Sequence, residues 1–170
     1  MWKASIWKSW RREADIAMQI QVEPARPDSV DAMQLIAELD QYLNDLPYTP
    51  ESRHAYSIEK LLNEGVDFFV AFVDGKAAGC GGVKLFKRHY AEVKRMYVRP
   101  SFRGVGLGKA ILNHLAQHAI DGGINVLRLE TGIYQTEAIG LYERWGFQRR
   151  PPFGEYKEHP LSLYFEKRIA

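Results

Sequence analysis

The segment Val98-Arg99-Pro100-Ser101-Phe102-Arg103-Gly104-Val105-Gly106-Leu107-Gly108-Lys109 carries the most distinctive chemistry in the chain. An apolar run closes at Pro100, three glycines fall within five residues, and apolar residues at helical spacing begin at Leu107. Glycines leave backbone N–H groups uncovered, and here they stand at the positive end of a helix dipole. That arrangement binds anions and suits a diphosphate. A plain strand-to-helix turn needs one or two glycines rather than three. A nucleotide-hydrolysing loop is disfavoured because Lys109 is followed by Ala110, which lacks the hydroxyl that would hold magnesium. The dinucleotide pattern G-x-G-x-x-G is not matched by Gly104, Gly106 and Gly108, and no acidic residue ends a following strand at the distance a ribose requires.

Other residues admit chemistry or plain packing. Tyr142 shares a helical stripe with Ala138, Leu141 and Trp145, which by itself reads as packing. Glu92 is a candidate base on a strand, placed by period-two alternation on the face of Met96 and Val98. The competing reading is a surface ion pair with Lys94. Glu130, ending the next strand, is the alternative base. His114 and His118 are spaced i, i+4, but no third metal ligand is evident, so they read as a solvated helix face and no metal is expected. Cys80, between Gly79 and Gly81, reads as a small buried strand residue.

The elements that must position these groups follow from periodicity. A strand at Ile20–Glu23 precedes a helix capped by Asp28 or Ser29, with the stripe Ala32, Leu35, Ile36, Leu39 and Leu43. Asn44 to Pro47 stops it, and a second helix is predicted from Thr49-Pro50 to about Asn63. Strands follow at Asp67–Val73, Ala77–Phe86 and Ala91–Val98, the first two joined by an Asp74-Gly75 hairpin turn. Gly79, Gly81 and Gly82 predict a bulge or a close backbone approach. A helix from Leu107 to Gly122-Gly123, a strand at Asn125–Glu130, a helix ending at Gly146, a loop at Phe153–Pro160 and a strand at Leu161–Glu166 complete the pattern. Hairpin strands followed by a β-α-β-α-β run imply one mixed sheet covered by helices, within a single α/β domain spanning residues 19–170.

Composition bounds the function. The 170 residues hold 46% hydrophobic and 26% charged residues, enough for one core without disulfides. The formal net charge of +2 is that of residues 1–18, which hold four basic and two acidic residues and leave 19 of each sign beyond them. No basic face is therefore expected, and nucleic acid is not a predicted partner. Residues 1–18, with Trp2, Ile6 and Trp10 at i, i+4 spacing, are expected to form an N-terminal extension, flexible or a short helix. The bland reading of that segment sets the start of translation at Met18. No apolar run is long enough for a membrane span, and no secretory signal is evident. The single cysteine fits a reducing compartment, so the expected location is cytoplasmic.

The motif Arg103-x-x-Gly106-x-Gly108 resembles the [QR]-x-x-G-x-[GA] signature of the GNAT family of acyl-CoA-dependent N-acyltransferases. The strand Lys94–Pro100 that leads into it, and Ala138-x-x-x-Tyr142-x-x-x-Gly146-Phe147 downstream, resemble the same family in the same order. The resemblance covers about residues 19–168. It implies a sheet splayed between two central parallel strands, Glu92–Val98 and Asn125–Glu130, with acetyl-CoA as co-substrate lying in the split. Arg103, Gly104, Val105, Gly106, Leu107, Gly108 and Lys109 would cradle the pyrophosphate, while Met96, Tyr97 and Val98 would hold the pantetheine. Gln135 stands where the family often has Asn and is carried over as a cofactor contact.

In this resemblance Tyr142 takes the place of the tyrosine that protonates the departing thiolate. A phenol near pH 10 and a thiol near 8.5 make full transfer mildly uphill, so a hydrogen bond to the thiolate is the main expectation. An alkylamine is only ~0.1–1% neutral at pH 7–8, so a base such as Glu92, or a water relay, is needed for direct attack. Position alone gives Tyr48, Arg53, His54 and Tyr156 to acceptor recognition, together with Phe153. The expected activity is transfer of acetyl from acetyl-CoA to a primary amine of a small molecule or peptide. The rival reading is a non-catalytic acyl-CoA sensor. Oligomeric state is left open, with a homodimer compatible.

Overall fold

A computed structural model describes residues 17–50 and 56–170. The expected N-terminal extension, with Trp2, Ile6 and Trp10, thus lies outside the described residues up to residue 16, as do Arg53 and His54. The elements are β1 (Ile20–Pro24), α1 (Val30–Asn44), α2 (Ile58–Asn63), β2 (Asp67–Val73), β3 (Lys76–Phe86), β4 (Tyr90–Val98), α3 (Leu107–Asp121), β5 (Val126–Gly132), α4 (Thr136–Trp145), β6 (Gln148–Arg150) and β7 (Ser162–Arg168). They build one seven-stranded sheet in the order β1-β2-β3-β4-β5-β7-β6.

Helices cover both faces of the sheet. On one, α3 inserts Leu107, Ile111, Leu112 and Leu115 against Phe69, Val83, Val93 and Leu127, and α4 adds Tyr142. Truncating any of these fully buried leucines costs about 2–5 kcal/mol. On the other, Ala32, Leu35, Ile36 and Leu39 of α1 pack with Leu61 of α2 on Phe68, Val70 and Cys80. Ser29 takes the N-cap position of α1, though its hydroxyl makes no capping bond.

The hairpin between β2 and β3 turns on Asp74 (φ 47°) and Gly75 (φ 78°), the two positive angles of a type I′ turn. The glycines of β3 serve close approach. A Cβ at Gly79 would lie 2.7 Å from the Tyr97 carbonyl oxygen and 3.1 Å from Ile111 Cδ1. Opposite them, register passes from Cys80↔Tyr97 to Gly82↔Lys94, so Gly81 alone faces both Arg95 and Met96. This bulge puts Arg95 at φ 52°. Its guanidinium is held by the Asp40 carboxylate at 2.5 Å and the Ile36 carbonyl at 3.3 Å.

The central pair β4–β5 is parallel and short. Only Ala91↔Leu127 and Glu92↔Arg128 are paired, whereas β5 pairs with β7 along its full length, from Val126↔Arg168 to Gly132↔Ser162. Beyond Glu92 the two strands part, as the expected splay requires.

Two elements differ from expectation. The second helix does not run unbroken from Pro50. It begins at Ile58, because Ser57 is extended (ψ 160°) and its Oγ accepts the Lys60 N–H at 3.1 Å. The short edge strand β6 has no apolar alternation to announce it. It forms because β7 offers a partner across Gln148↔Glu166 to Arg150↔Tyr164.

Replacing Gly79 by Ala would drive a methyl into the Tyr97 carbonyl. Urea unfolding is expected to show a loss of about 1–3 kcal/mol. An unchanged midpoint would mean that β3 and β4 do not need this contact.

Candidate active site

Where β4 and β5 part, a cavity of about 1020 Å³ opens between α1, the β4–α3 loop and α4. Its wall holds Met96, Tyr97 and Val98 of β4, Arg103, Gly104, Gly106, Leu107, Gly108 and Lys109 of the loop and α3, and Gln135 and Tyr142 at α4. Of the expected coenzyme residues only Val105 is missing from this wall, and its side chain is exposed.

The loop has the conformation an anion cradle needs. Gly104 (φ 79°) and Gly106 (φ 87°) are left-handed, with open space where a Cβ would stand. Gly108 allows α4 to close in, for a Cβ there would lie 2.7 Å from Leu141 Cδ2. Arg103 is a shaping residue. Its Nε donates to the Val98 carbonyl at 3.0 Å, and Nη1 pairs with Glu137 across the cavity mouth.

Tyr142 is buried on this wall beside Phe147 and Phe165, with ring centroids at 5.8 and 6.2 Å. Burial, and secondarily the charge of Glu130, pushes its phenol above the ordinary value. Tyr142 therefore stays protonated and keeps an O–H to donate. Gln135 lies within hydrogen-bonding reach of the Tyr48 hydroxyl, which also accepts the Tyr134 N–H at 2.9 Å. Gly132 makes room for that phenol, since a Cβ there would meet Tyr48 Oη at 2.0 Å.

Glu92 departs from expectation. The bulge at Arg95 breaks the alternation of β4, so Met96 and Val98 pack with the α3 core while Glu92 and Lys94 lie on the other face, with Tyr56 and Tyr156. Nor is the pair with Lys94 on the surface. Lys94 Nζ sits 2.5 Å from Glu92 Oε1, with the two side chains 11% and 5% exposed. Tyr156 donates to the same oxygen at 2.6 Å and accepts from Lys94 at 2.9 Å. Burial first, then the Glu92 carboxylate, pushes the Tyr156 phenol up. Tyr156 is thus bound into a charge cluster.

Glu130 has a more central place than its position in the sequence suggested. Leu127 and Leu129 point into the α3 core, so Arg128 and Glu130 take the other face of β5, and Glu130 pairs across the sheet with Tyr164. Its charge acts on Tyr48, Tyr142, Tyr156 and Tyr164, which arrive from four separate segments. Periodicity could have placed Glu130 on that face. The convergence of the four phenols is tertiary and left no local signal.

The remaining candidates are structural. His114 and His118 edge onto Phe69, with centroids 4.6 and 5.1 Å away, and His118 Nε2 lies 2.8 Å from Asp67. Among the described residues no group of three or more His, Cys, Asp or Glu could hold a metal ion. Burial pushes the Cys80 thiol up to about 12, so it is no thiolate nucleophile at neutral pH. No helix among the described residues is long and apolar enough to cross a membrane.

Comparison with known proteins decides the family. The pattern of the acetyltransferase (GNAT) family matches residues 33–147, which contain the split strand, the glycine loop and the Tyr142 helix. The chain belongs to the GNAT acetyltransferase family. An IAA acetyltransferase of Azospirillum brasilense is 43% identical over 136 residues, covering 79% of this chain and 88% of that protein. A crystal structure from Klebsiella pneumoniae, described as an acyl-CoA N-acyltransferase, superposes with TM-score 0.75 at 33% identity, covering 89% of this chain and 99% of that one. The PaiA N-acetyltransferase of Thermoplasma acidophilum, solved in complex with coenzyme A, shares the fold with TM-score 0.71 at 23% identity over 89% of this chain and 99% of that one. This GNAT protein is an acyltransferase that uses acetyl-CoA.

A side chain at Gly106 would be strained at its left-handed φ, at a position that lines the cavity. Gly106→Val is expected to weaken coenzyme A binding by roughly tenfold or more in calorimetry. Undiminished affinity would remove the loop from the binding site.

Proposed function

We propose that this GNAT protein transfers acetyl from acetyl-CoA to a primary amine of a small molecule or peptide by direct attack, without an acyl-enzyme. The observation that carries the reading is Tyr142, a buried phenol on the wall of the coenzyme cavity at the point where β4 and β5 part. A protein that only sensed acyl-CoA would need the loop but no proton donor there.

The thioester lies in the split with its carbonyl toward the β4 backbone near Met96–Val98. The amine nitrogen attacks the carbonyl carbon, the C=O electron pair moves to oxygen, and backbone N–H groups stabilise the oxyanion. Collapse of the intermediate re-forms C=O and breaks C–S. Tyr142 hydrogen-bonds the departing sulfur. Its raised pKa favours this role over complete proton transfer, since the phenol is the weaker acid by more than the ordinary margin.

The amine proton leaves, directly or through water, to Glu130. Glu92 is less suited, because Lys94 and Tyr156 already occupy its carboxylate in a buried cluster. Its role here is to anchor the 153–160 loop. Tyr48 and Tyr156 border the acceptor side, and Arg53 and His54 stay proposed acceptor contacts from their positions in sequence. The single buried cysteine suits the cytoplasm as the place of action.

Tyr142→Phe is expected to lower kcat ~10²–10⁴-fold while the KM for acetyl-CoA holds. Unchanged turnover would reduce Tyr142 to a packing residue. Because its pKa is raised, kcat/KM should climb with pH as the amine deprotonates, with no descending limb from Tyr142 below its ordinary 10.0. In Glu130→Gln the rate should fall, and more steeply towards acid pH. A profile identical to wild type would exclude Glu130 as the proton acceptor.

A further inference from the structure

The coenzyme cavity holds more positive charge than a diphosphate needs. Lys109, Arg144 and Lys167 all line it, and none has a carboxylate partner among the described residues. Arg103, by contrast, is already paired with Glu137. The three cations come from α3, α4 and β7, so no single helix face explains them as a solvated stripe.

Packing draws Arg144 and Lys167 to the Trp145 end of α4, and Lys109 lines the same cavity from the start of α3. Trp145 Nε1 donates to Asn113 Oδ1 at 2.9 Å. Asn113 lies one turn after Lys109, so the Lys109 face of α3 looks toward the Arg144 end of α4. Lys167 Nζ stands 5.0 Å over the same Trp145 ring. The Arg144 guanidinium folds back over Gly140, where a Cβ would lie 3.0 Å from Nη1. Arg144 also stands seven residues after Glu137, which is two turns along the same helix face, or about 10 Å. Glu137 marks the diphosphate loop through its pair with Arg103, so Arg144 stands beyond that loop along α4, while Lys109, next to Gly108, adjoins it.

Three unpaired cations around one opening repel each other, and a dianion relieves this better than a monoanion does. A phosphomonoester carries ≈ −1.5 to −2 at pH 7. We propose that Arg144 and Lys167, with Lys109, form a subsite for the 3′-phosphate of coenzyme A, so that the protein distinguishes acyl-CoA from acyl donors that carry only the phosphopantetheine arm. The proposal rests on the acetyl-CoA reading of the cavity and adds the residues that read the far end of the donor. Sequence inspection missed Arg144 and Lys167, since one is an ordinary surface helix cation and the other arrives from the last strand.

The test is calorimetric titration of the full chain with coenzyme A and with 3′-dephospho-coenzyme A, before and after the paired substitution Arg144→Ala and Lys167→Ala. Coenzyme A is expected to bind roughly tenfold or more tightly than its dephospho form, charged hydrogen bonds being of that strength. The paired substitution should erase the preference and leave the dephospho form little changed. Equal affinities in the unsubstituted protein would overturn the proposal and leave the acetyl-CoA reading intact. Failure of both coenzymes to bind would overturn that reading as well. A preference that survives the substitution would put the 3′-phosphate elsewhere and overturn the assignment. Should the paired variant lose both ligands, Arg144→Gln, at an exposed helix position, decides: selective loss of coenzyme A supports the subsite, and equal loss of both contradicts it.

Discussion

The structure depends on two strands that stop pairing. β4 and β5 share the rungs Ala91↔Leu127 and Glu92↔Arg128 and then diverge. The backbone groups of β4 beyond Glu92 are turned towards a cavity, although buried amides and carbonyls ordinarily need partners. A ligand that is itself a chain of amides can supply them, and pantetheine is such a chain. The bulge at Arg95 belongs to the same constraint. It bends β4 at the divergence, and the contacts of Arg95 with Asp40 and Ile36 hold the strained backbone in place.

From this split the parts of the site take their places. The loop after β4 must reverse direction within a few residues to start α3, and left-handed Gly104 and Gly106 allow it while leaving N–H groups bare. The absence of a side chain at Gly108 lets α4 lean on α3, which brings Tyr142 to the cavity wall. The opposite face is closed by the buried cluster of Glu92, Lys94 and Tyr156, where each partner satisfies the others. Cutting one member of such a cluster strands the remaining charge, so it holds the 153–160 loop firmly.

What could be read from the chain was what is local. The glycine loop, the stripe carrying Tyr142, the Asp74-Gly75 turn and the stops at Gly122 and Gly146 each depend on neighbours within a few residues, and each was legible. The bulge was foreseen from the glycines of β3. Its consequence on the partner strand was not, because counting by twos across Arg95 put Glu92 on the face of Met96. The start of α2 differs because Pro50 stands in a 3-10 turn of its own, while extended Ser57 caps a separate helix. β6 was invisible, as Gln148-Arg149-Arg150 has no apolar period and forms only against β7. The placing of four tyrosines within the field of Glu130, and of Arg144 and Lys167 on the wall of one cavity, depends on elements far apart in sequence.

The most direct measurement is a crystal structure of the protein with acetyl-CoA. The account predicts the diphosphate on the N–H groups of the Gly104–Gly108 loop, the pantetheine amides bonded to β4 between Met96 and Val98, and the sulfur within hydrogen-bonding distance of Tyr142 Oη. A coenzyme bound outside the split, or strands β4 and β5 drawn together with the cavity closed, would contradict it.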